Sequence, residues 1–215
     1  MALAAAATGL VAALPVAATA YGVPAVGPFR PMLLWWRSST PKAISIACAI
    51  ITAAVTFAVC QAIGWRVSML GYWLFSVLGV GLSCVDCRRH RLPHSITGTL
   101  WVICAFLFTA ESVYHRQVAH LAEAALSGIA VSAALMLLAM ALPGQLGLGD
   151  VHFAGAIAFT LGWLQWENAA TAIVAALIFQ WIWTVMAVAK THDRTMTLPL
   201  GPALFGAWVV TIAIA

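Results

Sequence analysis

Long uncharged, apolar stretches dominate this sequence, and short polar segments separate them. A helix that crosses a hydrocarbon core of about 30 Å needs roughly 20 residues, and most of the stretches reach that length. They lack the apolar–polar alternation of barrel strands, so they predict helices as the spanning elements. The predicted spans are Ala5–Val26, Ala43–Gly64, Met69–Cys84, Ile96–Ala110, Leu121–Leu142, Val151–Trp166, Ala169–Ala189 and Leu198–Ala215. The expected fold class is therefore an all-α, polytopic transmembrane helical bundle of about eight spans.

Composition and charge agree with this pattern. Of the 215 residues, 64% are hydrophobic and only 7% are charged, which excludes a soluble domain with a water-facing surface. If the N-terminus lies outside, eight of the ten Lys and Arg residues fall on the inner side, as the positive-inside rule requires. These eight are Arg30, Arg37, Lys42, Arg88, Arg89, Arg91, Lys190 and Arg194. Topology thus explains the net charge of +4. We therefore expect the chain to lie in a lipid bilayer and to bind no nucleic acid.

Two of the six carboxylates stand out by their position. Asp86 closes the third uncharged stretch and Asp150 opens the sixth, so both are predicted at the inner boundary of the membrane. Ionisable residues at membrane depth are costly, which makes these two candidates for function. Solvation explains the remaining four, with Asp193 in an inner loop and three glutamates at or near the predicted outer face: Glu111, Glu123 and Glu167.

A pair of carboxylates on one membrane face suggests peptide hydrolysis by an activated water molecule. Gly147-Leu148-Gly149 precedes Asp150 and gives a G-x-G-D motif at a helix start. The glycines allow tight turns and the close approach of an extended substrate. A helix N-terminus favours negative charge, so our hypothesis makes Asp150 the ionised member and Asp86, toward a helix C-terminus, the protonated one.

The five cysteines do not form a complete zinc site. Cys84 and Cys87 make one C-x-x-C pair, but no second pair supplies the other two ligands of a four-sulfur site. We expect no metal and no cofactor.

Three motifs, in order, resemble those of the type IV prepilin peptidases. Asp86-Cys87-Arg88-Arg89-His90-Arg91-Leu92-Pro93, followed by Ser95-Ile96-Thr97, is similar to the first aspartate motif of that family. Gly147-Leu148-Gly149-Asp150-Val151-His152, followed by Ala154, is similar to the second. Pro199-Leu200-Gly201-Pro202-Ala203-Leu204 resembles the proline-glycine-proline entrance to the last helix. The resemblance extends from about Tyr72 to Ala207.

The resemblance implies an aspartyl endopeptidase that cleaves the basic leader of prepilin or pseudopilin precursors at the cytoplasmic face of the inner membrane. Asp86 and Asp150 would be the catalytic pair. The residues expected to bind substrate or shape the site are Gly147, Gly149, Arg91, Pro93, His152, Gly201 and Pro202. No linker divides the chain, so we expect a single membrane-embedded domain over 1–215. Within it, 1–65 would hold N-terminal spans without motifs and 70–207 the peptidase core.

The chain departs from the family pattern in two ways. His152 stands where the family usually has Lys two residues after the second aspartate. The insertion with paired C-x-x-C motifs, found in larger members that also methylate the new N-terminus, is absent from the sequence between the first two spans. The resemblance to the short members therefore implies cleavage without methylation.

Other functions stay open at the level of sequence. Asp86 and Asp150 would also suit a proton- or cation-coupled transporter, although such sites lie near the bilayer midplane. An inactive scaffold for pilin subunits and a different G-x-G-D protease are further alternatives. Oligomeric state, the identity of the substrate and the choice between pilus and secretion system are not determined by the sequence.

Overall fold

The structure is a computed structural model that describes residues 2–22, 40–64, 66–90, 92–141, 146–191 and 198–215. All regular structure in these ranges is helical, which confirms the all-α fold class. The eight helices are α1 (Ala2–Gly22), α2 (Lys42–Ile63), α3 (Ser68–Arg89), α4 (His94–His115), α5 (Val118–Ala141), α6 (Leu148–Gly162), α7 (Trp166–Thr191) and α8 (Gly201–Ile214).

Six of these helices, α1 to α5 and α7, are long and apolar enough to cross a membrane, which indicates a multi-pass membrane protein. The other two are shorter than predicted, with 15 residues in α6 and 14 in α8. At a rise of 1.5 Å per residue these lengths correspond to about 22 and 21 Å. The predicted sixth span is also displaced, because α6 begins at Leu148 and Trp166 already belongs to α7. The predicted inside–outside orientation stays a prediction.

The three helices α3, α6 and α8 form the centre of the bundle. The Tyr72 hydroxyl of α3 donates a hydrogen bond to the Thr160 carbonyl of α6 at 2.7 Å. From α8, the Trp208 indole N–H donates to Thr160 Oγ1 at 2.9 Å. Phe75 stacks on Phe153 with 5.7 Å between ring centroids. These contacts tie together the three helices that carry the sequence motifs.

The first two helices pack at the side of this centre. α1 and α2 lie against each other and against α3. Trp73 of α3 donates its indole N–H to the Ala5 carbonyl at 3.3 Å. Both helices carry buried residues that join the common hydrophobic core, among them Ala17 and Val59. The division of the chain at 1–65 and 70–207 stays a prediction.

Glu111 was predicted to be a solvated loop charge, and this prediction is wrong. It lies in α4 and is fully buried. Its Oε2 accepts a hydrogen bond at 3.1 Å from the backbone N–H of Ser68, the first residue of α3. The first N–H groups of a helix lack partners within it, so a buried helix start requires an external acceptor. His115 Nε2 lies 3.7 Å from the other oxygen. Glu167 is exposed and Glu123 half-buried, whereas Asp193 lies outside the described residues.

Candidate active site

Asp86 lies in the last turn of α3, with only 3% of its surface exposed. The helix ends three residues later at Arg89, and His90 follows in the left-handed conformation (φ 50°) with its N–H bonded to the Asp86 carbonyl at 2.8 Å. The helix therefore ends within one turn of Asp86. The Asp86 carboxyl group lies at this end of the bundle and is buried there.

The first residue of α8 contacts Asp86. The Gly201 N–H donates a hydrogen bond to Asp86 Oδ2 at 2.7 Å. A Cβ atom on Gly201 would lie 3.0 Å from that oxygen and 3.2 Å from Asp86 Cβ, closer than side chains normally pack. Glycine at this position therefore lets the start of α8 reach the carboxyl group. The predicted site-shaping role of Gly201 stays a prediction, to which this contact gives a structural basis.

Two helix ends act on the Asp86 carboxyl group in opposite senses. The C-terminus of α3 favours its protonated form, whereas the N-terminus of α8 favours a negative charge. Asp150 lies at a helix N-terminus only. The assignment of acid and base stays a prediction.

Asp150 lies in the first turn of α6, as the G-x-G-D motif predicted. Its Oδ2 accepts a hydrogen bond from the Gly147 N–H at 3.2 Å, and Gly147 is the N-cap residue of the helix. The Gly147 backbone has φ −82°, which any residue adopts, so this position does not require glycine for its conformation. The bond fixes the orientation of the Asp150 carboxyl group at the helix start.

Gly149 allows two motifs of this chain to touch. A Cβ on Gly149 would lie 2.7 Å from Leu92 Cβ and 2.9 Å from the Leu92 carbonyl carbon, with the carbonyl oxygen closer still. Gly149 thus lets the segment that follows Asp86 come close, and its predicted role in admitting a substrate stays a prediction. Leu92 itself is buried. The sequence includes it in the first aspartate motif, between Arg91 and Pro93, but does not indicate that it packs on Gly149.

The two aspartates share one end of the bundle and interact electrostatically. The start of α8 donates a hydrogen bond to Asp86, and the start of α6, which holds Asp150, packs on Leu92, six residues after Asp86. Two neighbouring carboxyl groups disfavour simultaneous ionisation and bind one proton between them. This arrangement is able to activate a water molecule with one group and to donate a proton with the other.

The remaining predicted site residues differ in their distance from the two aspartates along the fold. Pro93 is the N-cap of α4, and its carbonyl accepts the N–H of Ile96 at 3.0 Å. Pro202 is the second residue of α8, half-buried beside Gly201. His152 is exposed and lies about 200° around α6 from Asp150, so the two side chains leave the helix in different directions. Arg91 lies outside the described residues.

Cys84 and Cys87 lie on α3 on either side of Asp86. Across the described ranges, His, Cys, Asp and Glu side chains do not gather in groups of three or more that would suit a metal ion. The expectation of no metal and no cofactor stays a prediction.

Comparison with known proteins gives one match. The sequence model of the Type IV leader peptidase family matches residues 72–215, about two thirds of the chain, and this region includes α4 to α8 and most of α3. Searches of curated proteins and of solved structures give no match. The matched region contains both aspartates and the start of α8, so it coincides with the part of the fold that forms the candidate site.

Proposed function

Because this chain belongs to the type IV leader peptidase family and is thus a peptidase, we propose that it is an aspartyl endopeptidase that acts within the membrane. Its substrates would be type IV prepilin-like or pseudopilin precursors, whose basic leader it removes at the cytoplasmic face of the inner membrane. The observation that carries the proposal is that both acids lie at one end of the bundle. The start of α8 donates a hydrogen bond to Asp86, and the start of α6, which holds Asp150, packs on Leu92, six residues after Asp86.

In the proposed reaction the pair binds one proton. The ionised carboxylate takes a proton from water while the water oxygen attacks the scissile carbonyl carbon, and the protonated carboxyl group donates to the carbonyl oxygen. When the tetrahedral intermediate collapses, the C–N bond breaks and the proton taken from water passes to the leaving amine. A hydroxyl group of the intermediate returns a proton to the other carboxylate, so the pair again binds one proton. The Gly201 N–H holds the Asp86 carboxyl group in place throughout.

The family match favours this reaction over ion transport, because the matched region contains both aspartates. Asp86 lies in the last turn of α3 and Asp150 in the first turn of α6, so both occupy helix ends. Helix ends also form the coupling-ion sites of transporters with broken helices. The family therefore distinguishes the two functions, and the depth of the acids does not.

We also propose that cleavage is not followed by methylation of the new N-terminus. The sequence between α1 and α2 has no cysteine, so it lacks the paired C-x-x-C motifs of the methylating members. Detection of methyl transfer from S-adenosylmethionine by the purified protein would contradict this part of the proposal.

The function is tested by reconstituting the purified chain in liposomes with prepilin precursors that carry a basic leader before an apolar helix. We expect a shortened product whose new N-terminus, identified by mass spectrometry, lies at the junction of leader and helix. Intact precursors after prolonged incubation with correctly folded protein would refute the proposal, and proton flux into the same liposomes would then support the transporter.

A further inference from the structure

A groove with a volume of about 530 Å³ lies between α7 and α8 on the outside of the bundle. From α7 it is lined by residues four positions apart, which share one helix face, such as Ala175 and Phe179. From α8 it is lined mainly by small or apolar residues, including Ala203, Gly206 and Val210. Its lining contains no charged side chain, and Val210 is 59% exposed. The groove is thus an open, apolar surface.

One end of the groove adjoins the candidate active site. Pro202 lines the groove, and the preceding residue, Gly201, is the one that hydrogen-bonds to Asp86. The Gln180 amide of α7 donates a hydrogen bond to the Leu198 carbonyl at 3.5 Å, which places the middle of α7 level with the start of α8. The groove therefore runs along α8 from the candidate catalytic aspartate toward Ile214.

α7 continues well past the level of the candidate active site. Its eleven residues after Gln180 extend to Thr191, a length of about 16 Å in a helix. Large apolar side chains are exposed along this extension, among them Trp181, Trp183 and Met186. The start of α8 therefore lies at a depth where the neighbouring helix still presents an apolar surface.

We propose that the groove between α7 and α8 binds the apolar transmembrane helix of the substrate, on the side of the scissile bond that remains in the membrane. This inference rests on the proposed peptidase function and adds a docking surface to it. A backbone in lipid must satisfy its hydrogen bonds internally, so the occupant of an uncharged, lipid-facing groove is a helix and not an extended chain. Small residues such as Ala203 and Gly206 let the backbone of that helix come close.

Gly206 offers a direct test by substitution. No other heavy atom lies within 4 Å of a Cβ built on this residue, so a larger side chain extends into the groove without disturbing the internal packing. We expect Gly206→Leu to raise the KM for a membrane-inserted precursor about tenfold or more, while kcat changes by less than about twofold. Gly98→Leu is the matched control, because Gly98 is a helical glycine of α4 with equally open surroundings. It should retain the KM of the unaltered chain.

An unchanged KM in Gly206→Leu, or a fall in kcat alone, would overturn the docking proposal. Photo-crosslinking gives an independent readout that does not depend on cleavage. A photoreactive phenylalanine replaces Val210 in the Asp86→Asn chain, and we expect it to attach to the apolar helix of the precursor. Attachment to lipid alone, or to a second copy of this chain, would contradict the proposal. If the unaltered chain cleaves no precursor, the proposed peptidase function fails, whereas this crosslink still tests the groove.

Discussion

At the scale of single residues, the candidate site depends on two glycines that bring separate motifs into contact. Gly201 lets the start of α8 reach Asp86, and Gly149 lets the start of α6 reach Leu92. The sequence identified both glycines by their motifs. It did not identify what they contact, because the partners lie 115 and 57 positions away along the chain. Such contacts are set by helix packing and leave no local pattern.

Replacement of Gly201 tests whether its contact with Asp86 matters for the reaction. In Gly201→Ala the new methyl group would lie 3.0 Å from Asp86 Oδ2, so the carboxyl group or the start of α8 must shift. Because small displacements of catalytic groups are costly, we expect precursor cleavage to slow by about tenfold or more. Initial rates in liposomes measure this effect. Gly98→Ala, with open surroundings, should cleave at the original rate. Equal rates for the two variants would contradict the assigned role of Gly201.

The two glycines of the G-x-G-D motif should differ in their tolerance of substitution. Gly149→Ala places a methyl group against the backbone of Leu92, which cannot rotate away, and overpacking of this kind costs about 1–3 kcal/mol. Gly147→Ala meets only the Asp150 carboxyl oxygen, at 3.0 Å, on an exposed residue. We therefore expect a lower midpoint of thermal unfolding in detergent for Gly149→Ala than for Gly147→Ala. The reverse order would show that Gly149 does not pack as described.

At the scale of helices, hydrophobicity predicted where the elements lie but not which ones form the centre. In a membrane bundle the residues that face lipid are as apolar as those that face the core. Nothing in the sequence distinguishes α6, whose residues Phe153–Gly162 are all buried, from α7, where large apolar side chains are exposed. The short length of α6 is compatible with this burial, since a helix surrounded by others need not match the full hydrocarbon thickness.

The burial of Glu111 could not be predicted from the sequence either. Its partner is a backbone N–H at position 68, and a backbone group has no signature in the sequence. The sequence showed only a charge between two predicted spans, which is typical of a solvated loop.

Glu111 should stabilise the start of α3 as an acceptor. Glu111→Gln retains a carbonyl oxygen for the Ser68 N–H, whereas Glu111→Leu leaves that donor buried without a partner. An unsatisfied buried donor costs about 1–3 kcal/mol, so Glu111→Leu should unfold at a clearly lower temperature than Glu111→Gln. The exposed Glu167 provides the control, and Glu167→Leu should change stability by less than about 1 kcal/mol. Similar unfolding temperatures for the two Glu111 variants would contradict the role of the carboxyl group as an acceptor.

At the scale of the whole molecule, the ends of three helices meet to form the candidate site. α3 supplies Asp86, α6 supplies Asp150 and α8 supplies the Gly201 N–H. The order of the motifs and the shared face of the two acids were accessible from the sequence through charge placement and family resemblance. The participation of α8 as a hydrogen-bond donor was not, because a backbone N–H is common to nearly all residues.

The orientation of the bundle in the membrane is open to a direct test. We expect the end of the bundle that carries Cys87 to face the cytoplasm, and the connection between α4 and α5, which contains Arg116, to face outside. Cys87 is exposed and therefore suitable for labelling. In intact cells, a membrane-impermeant maleimide should label Arg116→Cys in a background without other cysteines. It should not label a chain whose single cysteine is Cys87. The opposite labelling pattern would reverse the proposed topology.

We propose that Asp86 and Asp150 act together as the catalytic pair. The most direct measurement compares precursor cleavage by the unaltered chain, Asp86→Asn and Asp150→Asn, reconstituted at equal amounts in the same liposomes. Asparagine is nearly isosteric with aspartate but does not exchange protons, so each substitution should abolish detectable cleavage while the variants retain the thermal stability of the parent. Cleavage at the original rate by either variant would contradict the account, because a single aspartate would then suffice.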